Sequence, residues 1–249
     1  MSTLTIESVP HSGFWSKTGA LARKDLRVEW RARETLPPML IFSLAVSFLL
    51  AFVLPGNARI GRSVQLPVGT VAFADVLAGF FWITVLFAGL IGFARTFEVE
   101  RQEEALDSML LVPLDRTGLF LSKAIVNLVF IIAIQFALAP MFAVLFGVGI
   151  SGRLGAFLFL MLLADIGFVA AGTLFAAIAA QTTTRELMLP ILALPALIPV
   201  FIAATELTSD LLVGASILET AQRGWFGILI AYDVIVGIAA ALSFEFAVE

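Results

Sequence analysis

The chain has 249 residues, 60% of them hydrophobic and only 14% charged, with a net charge of -4. Soluble domains carry about 25% charged and about 45–50% apolar residues, so this composition excludes a soluble globular protein and indicates an integral membrane protein. Cysteine is absent, which excludes a disulfide framework and a thiolate metal site, and the single histidine, His11, lies in a polar N-terminal stretch.

Residues 1–20 are polar, lack apolar periodicity and read as a loose tail. Residues 21–249 read as one membrane domain. Its first element, over residues 21–34, is amphipathic. Arg23, Arg27 and Arg31 recur at i, i+4, i+8 with Lys24 beside them, while Leu26 and Trp30 fall on another face with Trp15 and Ala22. One reading is a helix lying in the membrane interface. The other is a cytoplasmic helix whose arginines are ordinary positive-inside charge. The first apolar run starts only beyond residue 30, too late for a secretory signal, so an uncleaved anchor is expected.

A span needs about 20 apolar residues. Six runs qualify, at about 36–55, 76–94, 124–147, 157–180, 187–205 and 224–244. They must be helices, because lipid leaves no other way to satisfy the backbone of an open chain. The fold class is therefore an all-α membrane protein with six transmembrane helices. Lysine and arginine set orientation through the short loops. With the N-terminus inside, eleven of the 15 face inward and four outward, so both termini are expected in the cytoplasm.

Residues 95–123, between spans 2 and 3, carry ten charges in an otherwise apolar region. Leu106, Met109, Leu110 and Pro113 fall at i, i+3, i+4, i+7, an apolar stripe on one face of a short cytoplasmic helix. Glu100, Glu103, Glu104 and Asp107 crowd its early turns, where acids favour the helix dipole. Pro113 stops the helix. Such a helix suits the groove of a soluble partner, or it rests its stripe on the membrane surface.

Asp165 interrupts the fourth span and Asp233 the sixth. A charge at the bilayer centre costs roughly 2.5–3.5 kcal/mol on insertion scales, so each acid faces protein or a wet cavity. Either they form a substrate or proton site, or they make polar contacts between helices, with Tyr232, Thr173 or Gln135 as partners. Pro190, Pro195 and Pro199 lie inside one span, as a hinge or as a static kink. Gly172, Ala176 and Ala180 form a small-residue stripe for close helix packing. Residues 206–223 are expected to form a short outer helix through Leu207, Leu211 and Leu218. No catalytic triad and no phosphate-binding loop is present, so the chain is expected not to be an enzyme.

Four stretches, in order, resemble the haem exporter protein B (CcmB) family, the permease subunit of the cytochrome c maturation ABC transporter. They are KDLRVEWRARETLPPMLIF (24–42), FWITVLFAGLIGFARTFEVERQEEALDSMLLVPLDR (81–116), TRELMLPILALPALIPV (184–200) and AYDVIVGIAAALSFEF (231–246). Asp233 falls on the family's aspartate. The loop departs from the family pattern at Glu104 and Ser108, where glycine is expected.

The resemblance implies a six-span inner-membrane permease without ATPase activity of its own, partnered by a CcmA-like ATPase. It further implies CcmC-like and CcmD-like haem-handling membrane proteins and a CcmE-like haem chaperone. The loop becomes a coupling helix, with Glu100, Leu106, Met109, Leu110 and Pro113 docking on the ATPase. Haem iron takes His, Cys, Met or Tyr ligands. The spans offer only methionines such as Met141, Met161 and Met188, and Tyr232, so no cofactor and no metal is expected on this subunit. Other functions compatible with six spans are a related ABC permease exporting another substrate, a proton-coupled carrier using Asp165 and Asp233, and a membrane scaffold.

Overall fold

The computed structural model describes residues 13–54, 63–66, 69–97, 116–148, 152–182, 184–215 and 224–247. The described residues form seven helices and one small hairpin. The first helix, α1 (Phe14–Ala32), begins well before residue 21, so residues 14–20 of the expected tail are its opening turns. It is rich in Ala, Leu, Arg and Lys, good helix formers. It ends at Arg33, which adopts the left-handed conformation at φ 55° and donates its N–H to Glu29 O. Next, α2 (Leu36–Val53) places Pro37 and Pro38 in its first turn, where a helix needs no N–H donor. A hairpin of β1 (Ser63–Leu66) and β2 (Gly69–Ala72) follows, with Ser63 opposite Ala72 and Leu66 opposite Gly69. It leads directly into α3 (Phe73–Arg95).

The remaining helices are α4 (Arg116–Phe146), α5 (Leu154–Ala180), α6 (Arg185–Val213) and α7 (Trp225–Ala247). Six helices, α2 to α7, are long and apolar enough to cross a membrane. Two boundaries differ from the sequence reading. Helix α4 starts at Arg116, eight residues before the expected span, so Lys123 is inside a helix. Helix α6 runs unbroken to Val213 through all three prolines. The separate outer helix expected from residue 206 is therefore the last part of α6, with Leu207 and Leu211 buried; Leu218 lies outside the described residues. Nothing between Thr205 and Val213 breaks a helix. Gly214, at φ 104°, is the first residue suited to end it.

Helices α3 and α5 form the centre. Their helices interlock through two reciprocal pairs: Phe168 of α5 sits over Gly89 of α3, and Phe93 of α3 sits over Gly172 of α5. The two rings meet edge to face at 5.1 Å. A Cβ on either glycine would collide with the facing ring. Lipid gives no hydrophobic drive between helices, so close packing of this kind holds the bundle. The aromatic contacts continue from Phe168 to Phe201 and on to Trp82, Phe81 and Phe142. Trp82 Nε1 donates to Thr208 Oγ1 at 2.8 Å, tying α3 to α6. Met39 of α2 packs against Gly92 of α3.

Candidate functional site: the clasp beside the charged loop and the two buried acids

The charged loop leaves α3 after Phe97 and rejoins the bundle at α4. The five docking residues proposed from sequence, Glu100, Leu106, Met109, Leu110 and Pro113, lie outside the described residues. The helix ends that carry the loop are described, and they are tied to each other and to α1. Lys123 of α4 pairs with Asp25 of α1 at 2.9 Å, with both side chains largely buried. Its ammonium also sits 5.9 Å from the Phe97 ring centre. A buried ion pair is costly to break one-sidedly, because the surviving charge is stranded. One turn from Asp25, Glu29 accepts from Thr35 N at 2.5 Å and Thr35 Oγ1 at 2.9 Å. This staples the end of α1 to the start of α2. Thr18 and Phe14 close on Gly118 of α4, where a Cβ would meet Thr18 Oγ1 at 3.1 Å.

A polar bridge runs inward from the same place. Thr96 Oγ1 of α3 donates to Asn127 Oδ1 of α4 at 3.0 Å, and Asn127 Nδ2 donates to Thr173 Oγ1 of α5 at 3.0 Å. Phe244, near the end of α7, packs on Phe97 and Phe120. The two helix ends that carry the loop thus share one side of the bundle with α1 and the end of α7. In the sequence Lys123 is only the last residue of the charged stretch 95–123. The overlooked signal is the i, i+4 placement of Lys123 and Asn127 on a helix, which aims two polar groups at one neighbouring surface.

On α1, Arg23, Arg27, Arg31 and Trp30 are exposed, and Trp15 and Trp30 are 74% and 76% exposed. The face carrying Thr18, Ala22 and Asp25 is turned to α4.

The two intramembrane acids serve different helix pairs. Asp165 is 1% exposed and its Oδ1 accepts from Gln135 Nε2 of α4 at 2.7 Å. Asp233 of α7 is half-buried, and its carboxylate packs against Gly167 of α5, where any side chain would collide with it. Of the three partners considered from sequence, Gln135 binds Asp165. Thr173 accepts from Asn127 instead, and Tyr232 donates to Ala196 O at 2.8 Å. That bond sits beside the Pro195 carbonyl, which Pro199 cannot serve because proline has no N–H.

Pro190 is half-buried, whereas Pro195 and Pro199 are exposed on the continuous α6. At the far end, Asp75 accepts from Ser209, and Arg153 donates to Leu211 O and Gly214 O, capping α6 from the start of α5. No sequence pattern singled out these end contacts, since each joins residues more than fifty positions apart.

The chain is 28% identical to heme exporter protein B of Rhodobacter capsulatus over 191 residues, covering 76% of this chain and 80% of the relative. The CcmB protein family matches residues 17–249, from the first turn of α1 to the last residue. The chain therefore belongs to the CcmB protein family.

Proposed function

We propose that this chain is the membrane permease subunit of an ABC-type complex for haem export in cytochrome c maturation, driven by a separate ATPase subunit. The carrying observation is the family match over nearly the whole chain, on a bundle of six apolar helices. The charged loop is the ATPase docking element. Its two helix ends are fastened to α1 through Lys123–Asp25 and to α7 through Phe97 and Phe244. A push on residues 98–115 would then move α1, α3, α4 and α7 together, which suits a coupling helix. Both termini face the cytoplasm of a bacterial inner membrane, in keeping with the positive-inside distribution. Helix α1 lies in the inner interface, its tryptophans toward lipid and Arg23, Arg27 and Arg31 toward water.

Haem, as cargo, is handled by CcmC-like, CcmD-like and CcmE-like partners, without axial ligation by this subunit. No histidine or cysteine occurs in any span, and the Tyr232 hydroxyl is engaged with Ala196 O. Asp165 and Asp233 face different helices, so neither supplies the other with a shared proton site.

The test is co-purification with the ATPase and measurement of mature cytochrome c in cells carrying Leu106→Glu. Both are expected to fall at least tenfold, the order expected when a charge replaces an apolar anchor in a groove. An unchanged ATPase yield with normal cytochrome maturation would overturn the docking assignment.

A further inference from the structure

The fold sorts the charges of α1 by sign. This helix contains two acids, Asp25 and Glu29, and both are drawn to its packed side: Asp25 pairs with Lys123, and Glu29 accepts from Thr35. The basic residues go the other way. Arg23, Lys24, Arg27 and Arg31 are exposed and have no ion-pair partner among the described residues. Arg27 lies about 180° round the helix from the buried Thr18. The outer face of α1 thus carries cations and no acid. Ordinary positive-inside charge needs only a surplus of lysine and arginine on one side of the membrane. It does not require that the acids be withdrawn from one helix face.

What meets this face must be anionic, and the surroundings favour lipid. Trp15, Leu26 and Trp30 fill the flank between the packed and the basic faces, and the two tryptophans are 74% and 76% exposed. Indoles beside cations suit the headgroup level of a bilayer, where the ring meets acyl chains and the charge stays in water. Arg31 stands just before Leu36, the first residue of a helix able to cross the membrane. The basic end of α1 is therefore held close to the bilayer surface by its own chain. The helix ends that carry the acidic loop, marked by Phe97 and Lys123, lie on the packed side of α1, so the basic face turns away from them. A guanidinium forks onto phosphate oxygens with two charge-assisted bonds. A zwitterionic headgroup carries its own ammonium beside the phosphate and gains less from that contact.

We propose that the outer face of α1 binds the headgroups of anionic phospholipid in the cytoplasmic leaflet. Arg23, Arg27 and Arg31 take the phosphates, and Trp15 and Trp30 sit at the top of the acyl chains. This rests on the interfacial placing of α1 given above and adds the class of lipid that holds it there. Because Asp25 and Glu29 fasten the same helix to α4 and to the start of α2, lipid on the outer face steadies the helix that carries the clasp.

The test places the full chain in nanodiscs of mixed phosphatidylglycerol and phosphatidylcholine, with one of the two brominated on its acyl chains at a time. The signal is the part of the tryptophan quenching that Trp15→Phe with Trp30→Phe removes. Brominated phosphatidylglycerol should reach half-maximal quenching at about fivefold lower mole fraction, the worth of one basic side chain at an anionic surface. Arg23→Gln with Arg27→Gln and Arg31→Gln should erase that preference and leave quenching by phosphatidylcholine in place. Arg27→Gln alone should lower it part-way. Equal quenching of the parent chain by the two lipids would overturn the proposal yet leave α1 in the interface. Quenching by neither lipid would overturn both, and α1 would then face water or a protein. A preference that survives the triple substitution would also sink the proposal, because it would arise from some other surface.

Discussion

The clasp beside the loop and the Gln135–Asp165 pair at mid-membrane use polar residues in opposite ways. At the clasp, three contacts, Asp25–Lys123, Glu29–Thr35 and Thr96–Asn127–Thr173, fix five helices, α1 to α5. At mid-membrane, Asp165 is held by a single bond from Gln135 and keeps one oxygen uncommitted. A saturated network makes a rigid joint, suited to carrying force. An acid held by one bond, its other oxygen buried, leaves hydrogen-bonding capacity unused inside the bundle. Both regions use α4 and α5, and the clasp adds α1, α2 and α3.

The sharpest way to break the contrast is Lys123→Ala. It strands the Asp25 carboxylate in a largely buried position, and removing one partner of a buried pair costs about 3–5 kcal/mol. Helix α1 should come away from α4, so limited trypsinolysis at Arg23 and Arg27 should speed up sharply while the other spans stay protected. The double change Asp25→Asn with Lys123→Met should recover much of the loss, because no lone charge remains. If Lys123→Ala cleaves no faster than the parent, the clasp does not hold α1.

Next in size is Gly172→Ala. The added methyl meets the Phe93 ring, and overpacking costs about 1–3 kcal/mol. The methyl meets only the Phe93 ring, so it should lower the unfolding temperature without altering trypsin access at α1. A combined loss of stability and of trypsin protection at α1 would mean that the α3–α5 interlock, and not the clasp, positions α1.

The sequence made the spans and this stripe readable, because apolar length and small-residue spacing are local properties. Gln135 and Asp165 also came within reach, since a buried acid restricts its partners to the few polar residues at similar depth. The clasp stayed hidden. Asp25 looked like one charge among many on a basic helix, and Lys123 like a boundary marker. What joins them is the fold of α1 back onto α4, a distance of nearly a hundred residues that no period encodes. Overlong α6 was misjudged for a different reason: Glu206 looked like a span terminus, yet a helix continues past a charge when its end reaches water and no breaker intervenes.

A smaller effect separates the bridge from the ion pair. Asn127→Leu removes the link between Thr96 and Thr173 but leaves Lys123–Asp25 in place. Interhelical hydrogen bonds in membranes average about 0.6 kcal/mol and reach about 1.7, so a loss of about 1 kcal/mol in detergent unfolding is expected. Trypsin access at α1 should not change. Cytochrome maturation should fall more than stability does, if the bridge transmits motion from the loop to α5. Equal losses would make Asn127 a packing residue only.

The smallest expected effect is at Glu34→Gln. The Arg95–Glu34 contact resembles Lys123–Asp25 on paper, joining the end of α3 to the chain beside α1. Its nitrogen–oxygen distance is 3.5 Å and its side chains are 38% and 67% exposed. Exposed pairs are worth about 0–1 kcal/mol, because water already solvates both charges. Arg95 also keeps its 2.8 Å bond to the Glu34 backbone carbonyl, which the substitution leaves intact. Stability, trypsin access and function should all stay at parent levels. A large loss here would show that charge at this end of the bundle acts through its reach toward a partner, and burial would then cease to distinguish the working ion pair from the idle one.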